Sequence, residues 1–221
     1  LKTINLPGLT IKSPLFLAPM VDVTDLPYRL ICRKQGASIG YTEMLHIDQI
    51  LHENEKTLDL LKSSKEDKPL GIQITGNNLQ QFQKVIPHLK PFNLVDINCG
   101  CPSLRIQGNQ AGSYLLKNPE KIASFIKTLK NSTDIPVTAK IRLGFKTNNS
   151  LKISKQIQKA GADLLTVHAR LATHGKSIPA DHKETKKLSR SLSIPIVANG
   201  DIFSGPNAAE LLDFCDGVMI A

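Results

Sequence analysis

Cysteine is scarce. Four thiols, Cys32, Cys99, Cys101 and Cys215, are too few to staple a chain of 221 residues, and no two stand in the C-x-x-C spacing that favours zinc. The thiols therefore read as reduced, in an intracellular compartment, with no bound metal. Long apolar runs are missing too. Nothing approaches the roughly 20 apolar residues of a membrane span, and Leu1 to Thr10 lacks the apolar core of a signal peptide. No G-x-G-x-x-G follows the first apolar run, where Ala18-Pro19-Met20 leads into a polar turn, and this argues against an open dinucleotide-binding sheet. No repeat, low-complexity tract or linker divides the chain, so residues 1–221 read as one domain.

The composition that remains, 41% apolar and 21% charged, is that of a globular protein with one sizeable core. Lys and Arg outnumber Asp and Glu by 28 to 19, a net charge of +9. A positive field of that size suits a polyanionic partner, although Lys183, Lys186, Lys187 and Arg190 share one polar helical segment that could serve solubility alone.

Eight short apolar, β-branched runs recur: LFLAPM, SIGYTEM, LGIQI, LVDIN, PVTAKIR, DLLTVHA, PIVANG and GVMIA. Helix-length amphipathic segments separate them, among them Leu79 to Leu89, Pro119 to Asn131, Leu151 to Ala160 and Asn207 to Phe214. Alternating β and α implies parallel strands. The strand ends Gln73, Asn98, Arg142, His168 and Asn199 recur on average about every 31 residues, the unit length of a (β/α)8 TIM barrel of about 250 residues. Polar residues stand at these ends all around the series: Glu43, Gln73, Asn98, Lys140 with Arg142, His168, and Asn199 with Asp201. Barrels build active sites on that C-terminal rim.

The stretch Asp96-Ile-Asn-Cys-Gly-Cys-Pro102, with Gly112-Ser113 further on, resembles the signature of the tRNA-dihydrouridine synthases, flavin-dependent barrel enzymes that reduce uridine in tRNA. Ala18-Pro19-Met20 with Val23-Thr24-Asp25, Gln73, Lys140-Ile141-Arg142, His168-Ala169-Arg170 and Asn199-Gly200-Asp201-Ile202 match the family in order and spacing. The resemblance implies FMN as cofactor, NADPH or NADH as reductant, tRNA as partner and a monomeric, cytoplasmic enzyme. It implies that Cys101 gives a proton to the uracil ring, and an unperturbed thiol, with a pKa of about 8.5, is mostly protonated at neutral pH. Cys99 fits a buried filler better. Flavin contacts are implied at Pro19, Met20, Gln73, Lys140 and His168, and phosphate contacts at Asn199, Gly200 and Asp201. Asn98, with a donor and an acceptor, and Arg142 are implied to meet the substrate.

The chain departs from the family at Val21-Asp22, where Ala-Gly is common, and in the loop after His168. It starts with leucine and stops within an apparent strand, so it is expected to be a barrel truncated at its eighth strand, without the helical C-terminal domain of its relatives. Two other readings use the same residues: a small-molecule FMN pyrimidine dehydrogenase of the dihydroorotate or dihydropyrimidine type, and a non-catalytic RNA-binding barrel.

Overall fold

In the computed structural model, which describes residues 2–221, each of the eight runs forms a strand. These are β1 (Leu15–Leu17), β2 (Gly40–His46), β3 (Leu70–Thr75), β4 (Leu94–Cys99), β5 (Val137–Arg142), β6 (Leu164–His168), β7 (Ile196–Asn199) and β8 (Gly217–Ile220). All pair in parallel in the order β1-β8-β7-β6-β5-β4-β3-β2, and a parallel bridge from Phe16 to Ile39 brings the two edges together. The result is a TIM-type α/β barrel.

Strand alternation sorts the sequence into two cores. On β4, Val95, Ile97 and Cys99 face outward into the layer beneath the helices, where Phe82 and Phe125 stack with centroids 4.0 Å apart. Each such buried ring contributes roughly 1.5–3 kcal/mol. Leu94 faces inward and belongs to the second core, with Phe16, Ile39, Tyr41, Leu164, Val197 and Met219. An antiparallel hairpin, Ile4–Leu6 with Leu9–Ile11, adds Ile4, Leu6 and Ile11 to this inner cluster and plugs the N-terminal end of the barrel. Above the apolar floor the inward positions turn polar: Gln73, Asp96, Thr138 and Thr166 are all buried.

The expected helices at Pro119–Lys130, Ser150–Lys159 and Gly205–Leu212 form within one or two residues of their sequence limits, and Asn118 caps the first by accepting the Lys121 N–H. Leu79 to Leu89 is not one helix. It divides into Leu79–Lys84 and Ile86–Leu89, because Pro87 in the middle of a continuous helix would lack an N–H and crowd the carbonyl four residues back. Helix His182–Ser191 carries Lys183, Lys186, Lys187 and Arg190, all exposed. No helix among the described residues is long and apolar enough to cross a membrane.

Candidate active site

The strand register sets side chains from neighbouring strands level with one another. Asn98 pairs with Lys140, Arg142 with His168, and His168 with Asn199. They surround a cavity of about 200 Å³ at the C-terminal mouth, whose wall includes Pro19, Gln73, Asn98, Cys101, Lys140, Arg142 and His168. Seven of the eleven residues singled out in the sequence therefore meet in one place. Val21, Met44, Gly100 and Pro102 complete the wall, and no carboxylate belongs to it.

Cys101 is held by its backbone. Its N–H donates to Asn98 Oδ1 at 2.9 Å, and its carbonyl accepts the Ser113 N–H at 3.0 Å. Close approach of the second segment depends on Gly112, at φ +59°: a Cβ there would lie 2.9 Å from the Cys101 oxygen and 2.7 Å from Ile106 Cγ2. The thiol is left as the free group of the residue, partly exposed at the mouth. Cys99, one pleat away, is fully buried in the outer core, where burial and then the charge of Asp96 push its pKa well above the ordinary thiol value.

The sequence gives Asn98 a donor and an acceptor for a ligand, and here the structure alters the expectation. Its oxygen already accepts the N–H groups of Gly100, at 3.1 Å, and Cys101, while Nδ2 donates to Gln73 Oε1 at 2.8 Å. One Nδ2 hydrogen remains. Asn98 thus offers the cavity a donor only.

Lys140 reaches up from β5 and donates to Asn199 Oδ1 at 2.8 Å, which leaves further ammonium hydrogens for an anion. Burial lowers its pKa to about 8, Arg142 adds to the lowering, and Asp96 opposes it. Arg142 is more tied down than its sequence suggests. Its Nε donates to the Gly100 carbonyl and its Nη1 to the Leu171 carbonyl, both at 2.9 Å, so it clips the cysteine loop to the loop after β6. His168 is driven down to about 2 by burial and then by Lys140, Arg142 and Arg170, so the ring is neutral at physiological pH. Arg170 Nη1 lies 3.1 Å from Nε2 and can only donate, which leaves the ring proton on Nδ1.

Met20, Asn199, Gly200 and Asp201 lie outside the cavity wall. Met20 spends its N–H on Thr24 Oγ1 and its carbonyl on the Thr24 hydroxyl, with Val23 and Thr24 N–H groups on the same oxygen. Asn199 stands behind Lys140 and ties it to β8 by donating to the Met219 carbonyl at 2.8 Å. Asp201 carries a bidentate pair with Arg170, 2.7 Å on each oxygen, and also accepts the Ala180 N–H at 2.8 Å. Its carboxylate is therefore a brace between the β6 and β7 loops. Gly200, at φ +107°, turns the chain here, and a Cβ would sit 3.0 Å from the His168 ring. The role of Arg170, buried and central to this brace, was not legible in the sequence because its partner lies 31 residues away.

The departure at Asp22 also has a physical basis. Its φ is +62°, the left-handed region that favours glycine, and the Glu43 carboxylate secures it by accepting the Asp22 N–H at 2.7 Å.

Removing the Arg142 side chain should act twice, through lost charge and through the freed Gly100 carbonyl. If the mouth takes RNA and a flavin, as the sequence resemblance implies, Arg142→Ala is expected to weaken RNA binding and to lower turnover by more than the binding loss explains, with flavin content unchanged. Filter binding and single-turnover rates on the same preparations separate the two effects.

A polar, thiol-bearing, cation-lined mouth at the C-terminal end of parallel strands lies where (β/α)8 barrels build their active sites. The chain belongs to the dihydrouridine synthase family, whose model, Dihydrouridine synthase (Dus), matches residues 16–221. It is 33% identical over 95% of its length to tRNA-dihydrouridine synthase B of Pasteurella multocida, and 33% identical over 95% to a probable tRNA-dihydrouridine synthase of Aquifex aeolicus. The chain spans 65% of the first relative and 68% of the second, about two thirds of their length. Among solved structures it resembles 2-naphthoyl-CoA reductase, with a TM-score of 0.74 at 13% identity, covering 99% of this chain and 49% of the other. Histamine dehydrogenase from Rhizobium sp. 4-9 gives 0.62 at 11% identity, covering 99% and 41%. At such identities these likenesses speak to the fold alone.

Proposed function

We propose that this barrel reduces uridine in tRNA to 5,6-dihydrouridine, with FMN as cofactor and NADPH or NADH as the source of electrons. The observation that carries the reading is the meeting of Cys101, Asn98, Lys140 and Arg142 around one cavity. The donor set fits a flavin and a uracil. The wall is cationic and free of carboxylates, Asn98 keeps a hydrogen for a carbonyl oxygen, and Lys140 keeps hydrogens for an anionic ring edge.

FMN, when bound, would supply hydride to one carbon of the uracil double bond. Cys101 Sγ gives its proton to the adjacent carbon, so that two hydrogens add across the ring. Lys140 would hold an anionic edge of the cofactor. Gln73, Pro19 and the neutral His168 would line its bed, and Asn199 aims Lys140. Gly200 and Asp201 belong to the turn proposed to receive the phosphate through its backbone. Arg142 and the net charge of +9 favour a polyanionic substrate over a free pyrimidine. The target base leaves the RNA stack to enter the mouth, and the reaction belongs to the cytoplasm.

The test is to incubate the protein with FMN, NADPH and unmodified tRNA and to measure dihydrouridine by mass spectrometry. Formation that falls steeply with added salt is the expected result. Reduction of free uracil or dihydroorotate exchange without any tRNA product would instead select the small-molecule reading, and no flavin binding at all would select the non-catalytic one.

A further inference from the structure

Asp96 belongs to none of the roles above, although its carboxylate is buried beneath the mouth. It lies on the inner face of β4, two residues before Asn98, and is 1% exposed. Its Oδ2 accepts from Gln73 Nε2 at 2.7 Å, and its Oδ1 accepts from the Thr138 hydroxyl at 2.6 Å. Gln73 Oε1 in turn accepts from Asn98 Nδ2, and Asn98 Oδ1 accepts from the N–H groups of Gly100 and Cys101. Every donor in this chain points the same way, from the cysteine loop down to Asp96.

We infer that Asp96 is a positioning residue that fixes the donor and acceptor ends of Gln73 and Asn98, and through them the backbone of the Cys101 loop. A primary amide can turn over and exchange its oxygen for its nitrogen at little steric cost. Two successive amides therefore have a second arrangement with reversed polarity, in which Asn98 would turn NH2 toward two backbone N–H donors. A carboxylate at the far end forbids it, because a carboxylate accepts and cannot donate. The consequence at the mouth is the single remaining hydrogen of Asn98, which selects a ligand atom that accepts. The name of that ligand, a flavin or uracil carbonyl, rests on the proposed function; the polarity of the chain does not.

The position is an expensive one for an anion. Burial raises the Asp96 pKa to about 6, against the lowering effects of Thr138, Gln73 and Lys140.

Asparagine at 96 would restore a donor, yet Thr138 Oγ could accept it and keep the chain in its present direction. Valine at 138 removes that escape. The experiment is a cycle of Asp96→Asn, Thr138→Val and the double variant, read without cofactor at pH 8 by amide hydrogen exchange in NMR spectra. We expect each single variant to leave exchange at Gly100 and Cys101 within about threefold of wild type. The double variant should raise it tenfold or more, with Ile97 unchanged. FMN affinity, titrated by fluorescence, should fall tenfold further in the double variant than in Asp96→Asn, whose lost charge by itself acts on Lys140. An effect in the double variant no larger than the product of the single effects would overturn the inference. So would equal acceleration at Ile97, which would mark general loosening of β4, or a full effect in Asp96→Asn alone, which would assign the role to charge. If wild type binds no FMN, the proposed function fails while the exchange cycle still decides the role of Asp96.

Discussion

Cys101→Ala is expected to keep its FMN and to lose a factor of about 10²–10⁴ in uridine reduction, the range over which a positioned general acid contributes. The side chain adds nothing to the loop's own hydrogen bonds, which run through the Cys101 N–H and carbonyl, so alanine leaves the loop where it is. Cys99→Ala is the control. Its sulfur packs in the outer core, and its loss should cost about 1 kcal/mol of stability with little change in turnover. The measurements are flavin absorbance of the purified variants, single-turnover rates on tRNA, and thermal unfolding. A damaging Cys99→Ala beside a silent Cys101→Ala would reverse the assignment of the proton donor.

Lys140→Met should weaken FMN binding by tenfold or more, since a charge-assisted hydrogen bond contributes roughly 1.5–3 kcal/mol. The pH dependence carries the signature. Lys140 titrates at about 8 in the folded protein, so FMN affinity in the wild type should decline as pH rises through 8, and in the variant that decline should vanish. Stability moves the other way. The folded pKa lies below the ordinary 10.5, so holding the ammonium destabilises the fold fully below pH 8, less between 8 and 10.5, and not above. The lysine-to-methionine change is therefore expected to raise the melting temperature at pH 7, by up to roughly 3 kcal/mol of stability. A variant that binds FMN as wild type does, with the pH dependence intact, would remove Lys140 from the cofactor site.

Much of the barrel was legible because strand alternation and unit length are properties of the sequence itself. Leu94, Asp96 and Asn98 share a face by simple parity, as do Lys140 and Arg142, and the cavity follows from that parity and from strand register. The hairpin was not legible: its strands have three residues each, and its partners are Leu94, Leu164 and Val197, far along the chain. Asn98 shows another limit. A turn residue bonding its own backbone and a side chain facing a ligand were alternatives in the sequence, yet the structure uses the oxygen for one and the nitrogen for the other. The Arg170–Asp201 brace and the Arg142 clip depend on which loop lies against which, and no local pattern encodes that.

The plugged floor of the barrel has a kinetic meaning. With Ile4, Leu6 and Ile11 sealing the opposite end, whatever enters or leaves the cavity does so across the same rim. On the proposed function, a nicotinamide bringing electrons and a base waiting to receive them would compete for one cavity of about 200 Å³, and would take turns rather than meet. Initial-rate plots at several fixed reductant concentrations should then be parallel, and excess of either partner should slow the other by standing in its place.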